Sequence, residues 1–282
     1  MPAYRSNRSS SLPTWVLFSL VANGFLIVAV VLLFFQNHNF LAGWNAKASG
    51  VPPESAPGDS ATLSHLGTRY QLNYADWLRL LAQEAKVVAE KHPAHLAVLA
   101  GDSLSLWFPN DLLPSDQVWL NQGISGETSG GLLKRLNLFD QTQPEIIFVM
   151  IGINDLIRGL PDETVIENQR EIIHYLRQMH PNSQIVVQSI LPHAGAAATW
   201  QGRDRLQNLP NDRIRALNRE LAAIATREQV TYLDLHPLFT NPQGDLRPKL
   251  STDGLHLSED GYLVWRSALL LYSQAGLARN GK

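Results

Sequence analysis

Short, continuously apolar segments alternate with longer amphipathic segments along most of the chain. The short runs are apolar at every position rather than at every second one, which is typical of strands buried on both faces of a parallel sheet. The longer segments carry apolar residues every three or four positions, which predicts helices with one buried face. The alternation therefore predicts an α/β domain, a three-layer α/β/α sandwich with helices on both faces of a parallel sheet.

These patterns predict five strands and five helices. The predicted strands cover residues 95–100, 117–120, 145–151, 184–190 and 230–235. The predicted helices cover residues 74–91, 128–139, 162–180, 213–227 and 258–274. Gly130 and Gly131 weaken the pattern of the second helix, because glycine disfavours a helix interior.

A longer run without any charged residue, at positions 15–35, precedes this domain. As a helix it would span about 30 Å, which matches the hydrocarbon core of a bilayer. Arg5 and Arg8 precede the run and the next charged residue is Lys47, so the positive-inside rule places the N-terminus in the cytoplasm. A cleaved signal peptide, with a small-residue site around Lys47, is an alternative, and a buried helix of a soluble protein is another.

The chain accordingly divides into four predicted parts. Residues 1–14 form a cytoplasmic N-terminus and residues 15–35 a single transmembrane helix. Residues 36–66 form a flexible linker that is rich in Pro, Ser, Gly and Ala. Residues 67–278 form the folded domain, which we expect on the extracytoplasmic side of the membrane.

Composition narrows the possible functions. The chain has 23 basic and 25 acidic residues, a net charge of −2, and no basic run, so we do not expect nucleic-acid binding. It has no cysteine, which excludes disulfides, thiolate metal sites and a cysteine nucleophile. His92 and His95 lie close together without an apparent third ligand, and we predict neither a metal nor a cofactor. The oligomeric state stays open.

Residues able to carry chemistry follow the predicted strands. Ser103, Gly123 and Asn154 each follow a different strand, and the carboxyl ends of parallel strands meet at one edge of a sheet. Asp253 and His256 lie three positions apart, after the fifth strand. On one turn of backbone, such a carboxylate can accept a hydrogen bond from one imidazole nitrogen and leave the other free to take a proton. We therefore expect these distant positions to converge.

The motifs around these residues resemble those of the SGNH, or GDSL-type, hydrolase family. They are Gly101-Asp102-Ser103-Leu104, Asn121-Gln122-Gly123-Ile124-Ser125-Gly126-Glu127-Thr128, Gly152-Ile153-Asn154-Asp155 and Asp253-Gly254-Leu255-His256. The resemblance covers residues 95–272. It implies a flavodoxin-like fold in which Ser103 is the nucleophile, the Gly123 amide and the Asn154 side chain contact the substrate, and Asp253 and His256 complete the site.

The chemistry expected from that resemblance is acyl transfer from an ester. A serine hydroxyl is a poor nucleophile until a base removes its proton, and His256 is the candidate base, with Asp253 fixing its tautomer. The oxyanion would be stabilised by the amides of Ser103 and Gly123 and by the Asn154 side chain. Each residue also has a structural alternative: Ser103 and Asn154 as helix caps, Gly123 and Asp253 as turn residues, and His256 as a surface histidine.

Three further expectations concern the surroundings of the site. Asp102 and Asp155 are expected to bond loop amides rather than to take part in chemistry. The loop at 193–210 should border the site, and its Trp200, Arg203 and Arg205 are unusual residues for a mere connection. Trp200 and Arg203 are the candidates for substrate binding, although a solvated surface loop is the alternative. The second and last motifs resemble esterases close to platelet-activating-factor acetylhydrolases and carbohydrate acetylesterases, which implies a short acyl ester on a glycan or lipid.

The leading hypothesis is a membrane-anchored serine esterase with a Ser-His-Asp triad and an oxyanion hole. An acyltransferase that uses the same triad is one alternative, because site shape and water access choose the acceptor. A non-catalytic anchored binding domain is the other.

Overall fold

The computed structural model describes the backbone of residues 72–280 and the side chains of residues 72–273. The predicted N-terminus (1–14), transmembrane helix (15–35) and linker (36–66) lie outside the described residues. Among the helices that the structure describes, none combines the length and the apolar character needed to cross a membrane. The predicted limits of the folded domain, 67 and 278, stay predictions.

The predicted five-stranded parallel sheet is confirmed. Its strands within the described residues are β1 (Leu96–Gly101), β2 (Val118–Gly123), β3 (Ile146–Met150), β4 (Gln184–Gln188) and β5 (Thr231–Leu233). β2 continues to Gly123, beyond the predicted end at residue 120. Its last residues are polar and so escape the apolar pattern, yet they pair with β1.

The five predicted helices are present, and short helices lie between them. Across residues 72–280 the α-helices are α1 (Tyr74–Lys91), α2 (Ser103–Leu106), α3 (Ser129–Arg135), α4 (Ile153–Ile157), α5 (Asp162–Met179), α6 (Arg203–Gln207), α7 (Asn211–Arg227), α8 (His236–Phe239) and α9 (Glu259–Asn280). The helix predicted at 128–139 is divided: α3 is followed by a 3-10 helix, Leu136–Phe139. Further 3-10 helices cover Gly195–Ala197 and Pro248–Leu250.

The strand order β2-β1-β3-β4-β5 places β1 and β3 side by side. The connection from β1 leads to β2 on one side, whereas the connections from β3 lead to β4 and β5 on the other side. In such a sheet the gap between the carboxyl ends of β1 and β3 is the usual place for a site. Gly101 pairs with Gly123 on one side and with Met150 on the other, so β1, β2 and β3 end level. The segments that follow these strands start at the same edge.

Alternate residues of β1 point into two separate cores, as expected for a strand buried on both faces. Leu96, Val98 and Ala100 pack with residues of α1, α3 and α5. Ala97 and Leu99 pack in the other core, which includes Trp265 and Leu269 of α9. The sheet is thus covered by helices on both sides, and only its edge is left for a site.

Candidate active site

Ser103 is the first residue of α2, directly after β1. Asp102 caps this short helix, because its Oδ1 accepts a hydrogen bond from the Leu104 amide at 3.0 Å. Its carbonyl oxygen accepts a second bond from the Leu106 amide at 2.9 Å. Ser103 is only 6% exposed. The strand–cap–helix arrangement therefore holds the serine in a defined position at the edge of the sheet.

Gly123 lies against the backbone of α2. A Cβ at this position would lie 2.3 Å from the Leu106 nitrogen, so only glycine allows this approach. The Gly123 amide donates to Asn121 Oδ1 at 2.9 Å, and Asn121 Nδ2 donates to the Ser105 carbonyl oxygen at 2.6 Å. A substrate oxygen would have to replace Asn121 to reach this amide. The role of Gly123 as an oxyanion donor stays a prediction.

Asp253 and His256 form the hydrogen bond that their spacing predicts. The imidazole Nδ1 lies 2.7 Å from Asp253 Oδ2, and the Leu255 and His256 amides donate to Oδ1 at 3.0 and 2.8 Å. Burial acts to raise the pKa of Asp253, but the bond to the His256 ring, its charge and the two amide bonds outweigh burial and lower that pKa. The ionised carboxylate can only accept, so Nδ1 carries the hydrogen and Nε2 is left as a basic nitrogen.

His256 packs against Trp107, the residue directly after α2. Its ring centroid lies 4.4 Å from that of Trp107, and the Trp107 amide donates to the Ser103 carbonyl oxygen at 3.0 Å. The His256 side chain is 13% exposed. Tyr262 of α9 also reaches this helix and donates to the Leu104 carbonyl oxygen at 3.1 Å. The structure thus brings the predicted base and the predicted nucleophile to one short helix.

Asn154, in the first turn of α4, holds the segment that follows β2. Its Nδ2 donates to the Glu127 carbonyl oxygen at 3.0 Å, and Arg158 donates to the Gly126 carbonyl oxygen at 2.6 Å. The Glu127 amide bonds the Ile124 carbonyl oxygen at 3.2 Å, which closes a β-turn. The third position of this turn, Gly126, has φ of 73°, as a type II turn requires.

The Gly126 amide is a donor that sequence reasoning missed. No described residue accepts a hydrogen bond from it, in contrast to the Gly123 amide. Asn154 uses one amide hydrogen on Glu127, and its second has no acceptor among the described residues. The signal in the sequence was Gly126 itself, which sits where a tight turn needs positive φ.

A buried arginine joins this turn to the ends of two strands. Arg135 is 2% exposed and donates to Glu127 Oε2 at 2.8 Å, to the Gln122 carbonyl oxygen at 2.9 Å and to the Gly101 carbonyl oxygen at 3.1 Å. Burial lowers the pKa of Arg135, and the charge of Glu127 acts against that shift. None of these hydrogen bonds involves Ser103 or His256, so their effect is to fix the backbone around the two residues.

Two buried carboxylates serve the backbone, as predicted. Asp155 accepts from the Ser129 amide at 2.8 Å and from its hydroxyl at 2.6 Å, which ties α4 to α3. Asp102 is fully buried, and this burial raises its pKa to about 7, although the Leu104 amide and the charge of His256 act in the opposite direction. Asp102 therefore titrates close to neutral pH.

The loop at 193–210 packs directly against the Asp253 turn. The Thr199 and Trp200 amides donate to the Asp253 carbonyl oxygen at 2.8 and 2.9 Å. His193 Nε2 bonds the Leu209 carbonyl oxygen at 2.6 Å, which closes the loop at its base. Trp200 is partly buried against the core, whereas Arg203 is exposed on α6. The loop thus borders the site, and substrate binding by Trp200 and Arg203 stays a prediction.

Comparison with known proteins assigns the family. The model of the GDSL-like lipase/acylhydrolase family matches residues 99–264, which include every predicted site residue. The chain belongs to this family. The resemblance to SGNH hydrolases seen in the sequence motifs is therefore confirmed.

The chain is similar to two esterases over part of its length. It is 24% identical over 163 residues to an isoamyl acetate-hydrolyzing esterase of Saccharomyces cerevisiae, covering 54% of this chain and 66% of the relative. It is 29% identical over 113 residues to an arylesterase of Vibrio mimicus, covering 35% and 56%. The chain thus spans less than two thirds of either protein.

A solved structure shares the fold of this GDSL-like domain. It belongs to a proposed platelet activating factor from Streptococcus pneumonia and is 23% identical in sequence, with a TM-score of 0.62. The match covers 74% of this chain and 97% of that one.

Among the described residues, no three His, Asp or Glu side chains are grouped as a metal site would require.

The titration of Asp102 generates a prediction about stability. The pKa of Asp102 is raised from 3.8, the value expected in the unfolded chain, to about 7 in the folded state. The protonated carboxyl therefore contributes stability that is fully present below pH 3.8 and is lost as the pH rises through about 7. We expect Asp102→Asn, which keeps an acceptor for the Leu104 amide, to gain unfolding free energy relative to the wild type between pH 4 and pH 8. Urea denaturation across this range measures the difference.

Asp111→Asn is the matched control, since Asp111 is exposed. A pH dependence of the same size in Asp111→Asn would show that the effect does not come from the buried carboxyl. A pH-independent difference for Asp102→Asn would show that Asp102 ionises at its ordinary pKa.

Proposed function

We propose that the chain is a serine esterase with Ser103 as nucleophile, His256 as base and Asp253 as its orienting carboxylate. The observation that carries this proposal is the Asp253–His256 hydrogen bond of 2.7 Å, with the His256 ring packed on Trp107 directly after the helix that starts at Ser103. Membership of the GDSL-like lipase/acylhydrolase family supports it. The two related esterases support ester hydrolysis as the reaction.

In the first half of the reaction, Ser103 Oγ bonds to the carbonyl carbon while His256 Nε2 takes the hydroxyl proton. Asp253 stabilises the imidazolium that results. The tetrahedral oxyanion then expels the alcohol, which receives its proton from His256. In the second half, water attacks the acyl-enzyme by the same sequence of proton transfers and releases the acid.

The oxyanion needs donors aimed at it, and three are available. They are the Ser103 amide, the second amide hydrogen of Asn154 and a glycine amide after β2. Gly126 is the better glycine candidate, because the Gly123 amide already donates to Asn121. Turn geometry at Gly126 is held by Asn154 and Arg158, so the donors belong to one connected unit.

The proposed substrate is a short acyl ester, such as an acetyl group carried on a glycan or lipid. One relative's name, an isoamyl acetate-hydrolyzing esterase, is consistent with a short acyl group. Transfer of the acyl group to a sugar hydroxyl is the alternative outcome. Product analysis with and without a glycan acceptor separates it from hydrolysis.

The central role of Ser103 is tested by replacing its hydroxyl. We expect Ser103→Ala to lower kcat for 4-nitrophenyl acetate by about 10⁴-fold or more, because the covalent step is lost. Ser105→Ala is the matched control in the same helix. The Ser105 hydroxyl is buried without a hydrogen-bond partner among the described residues, and its loss should leave kcat within a few-fold. Retained turnover in Ser103→Ala would contradict the proposal.

Asn154 provides a test of the oxyanion site. We expect Asn154→Ala to lower kcat by about 10²- to 10³-fold, with a much smaller change in KM, since the bond strengthens in the transition state. Steady-state kinetics with 4-nitrophenyl acetate measures both constants. A change confined to KM would assign Asn154 to ground-state binding instead.

We also propose that residues 15–35 anchor the protein in a membrane with the esterase domain outside the cytoplasm. The proposal is supported by the uncharged run and by Arg5 and Arg8 before it. The full-length chain should remain in membranes washed with alkaline carbonate, and deletion of residues 1–40 should release it. Recovery of the intact full-length chain in the wash would rule out the anchor.

A further inference from the structure

A groove with three arginines lies at the C-terminal end of α4, the helix that carries Asn154. Its volume is about 490 Å³, and its lining includes Arg158, Arg205 and Arg213, together with Leu156, Ile157 and Leu209. The three apolar side chains are buried, so they form a floor on which carbon atoms can rest. Arg158 and Arg205 are exposed, and Arg213 is partly buried.

The two walls of the groove belong to the elements that build the site. One wall is the end of α4, four residues beyond Asn154, where Arg158 also holds the Gly126 carbonyl oxygen. The other wall includes Arg205 of α6, within the loop whose Trp200 amide bonds the Asp253 carbonyl oxygen. A substrate bound at Ser103 and extending between these walls would therefore meet the arginines.

Two of the three arginines in the groove lack a direct ion-pair partner among the described residues. Arg213 pairs with Asp162 at 2.7 Å. In the part of the chain that the structure describes, no carboxylate lies within ion-pair distance of Arg158 or Arg205. The buried Asp155 near Arg158 is already engaged by Ser129. Two guanidinium groups are thus left with donors to offer a ligand.

We propose that this groove is a subsite for an anionic group of the ester substrate, a carboxylate or a phosphate. A guanidinium presents paired N–H donors in a plane, which matches both groups, and an apolar floor suits the carbon skeleton that carries them. The inference rests on the proposed esterase function and adds a charge preference to it. It assigns substrate recognition to Arg205, whereas Arg203 of the same helix does not line the groove.

The test compares the full-length wild type with Arg205→Gln on matched esters. Methyl 4-acetoxybenzoate is neutral, 4-acetoxybenzoate carries a carboxylate and 4-acetoxyphenyl phosphate carries a phosphate on the alcohol side. For the acyl side, 4-nitrophenyl butyrate is compared with the mono-4-nitrophenyl ester of succinic acid. The readout is the ratio of kcat/KM for an anionic ester to that for its neutral partner, and comparison between variants cancels the intrinsic reactivity of each ester.

We expect Arg205→Gln to lower this ratio about fivefold for at least one anionic ester, as expected for a partly exposed ion pair, and Arg205→Glu to lower it further. The ester affected identifies the anion and the side of the substrate that carries it. Raising the salt concentration should lower the wild-type ratio as well, because exposed charges are screened.

Arg219→Gln is the matched control, because Arg219 is exposed on α7 and does not line the groove. Its ratios should equal those of the wild type. Equal ratios in the wild type and Arg205→Gln, or the same loss in Arg219→Gln, would overturn the subsite while leaving the esterase intact. Failure of the wild type to hydrolyse any of the esters would instead overturn the proposed function, and the subsite with it.

Discussion

The buried Arg135 guanidinium is the constraint on which the site geometry depends. It donates to the carbonyl oxygens that end β1 and β2 and to Glu127, which closes the turn after β2. These carbonyls lie where the sheet stops, and the Gly101 carbonyl oxygen also accepts from the Ile124 amide at 3.2 Å. Removing one partner of a buried ion pair typically costs about 3–5 kcal/mol, because the other charge is left without compensation. The chain thus uses one side chain to hold three backbone segments at fixed positions.

The rest of the site is supported in the same way, by side chains bonded to backbone. Asn121 connects β2 to α2, Asn154 connects α4 to the turn, and Asp155 connects α4 to α3. The Asn154 and Asp155 bonds join the segment after β3 to the segment after β2, and the Asn121 bond joins β2 to the segment after β1. Displacement of any one segment would therefore disturb the others, which makes the edge of the sheet a rigid frame for Ser103. The 193–210 loop is joined to the turn that carries His256 through the Asp253 carbonyl oxygen.

The sequence predicted the parts of this arrangement that depend on local pattern. Continuous apolar runs revealed the strands, and the spacing of Asp253 and His256 revealed their hydrogen bond, because both groups lie on one turn. Ser103 and Asn154 followed from their places after β1 and β3. These features needed no knowledge of which segments meet in space.

The parts that were missed depend on tertiary placement. No feature of the sequence marks Arg135 and Glu127 as buried, yet both are buried because they meet each other and the strand ends. The choice between Gly123 and Gly126 as oxyanion donor depends on the Asn121 side chain, which accepts the hydrogen bond of the Gly123 amide. The pattern of apolar residues does not show where this side chain lies. Arg205 could not be separated from Arg203 before the packing of α6 was known. In each case a side chain bonds or faces a segment distant in sequence.

The central claim is that Ser103 is a nucleophile activated by His256. Active-site titration with a fluorophosphonate, followed by peptide mass spectrometry, tests it most directly, since this reagent phosphonylates activated serines. The account predicts stoichiometric modification of Ser103 in the wild type and a large loss of labelling rate in His256→Ala. Labelling at a different serine, or a rate at Ser103 that does not depend on His256, would contradict it.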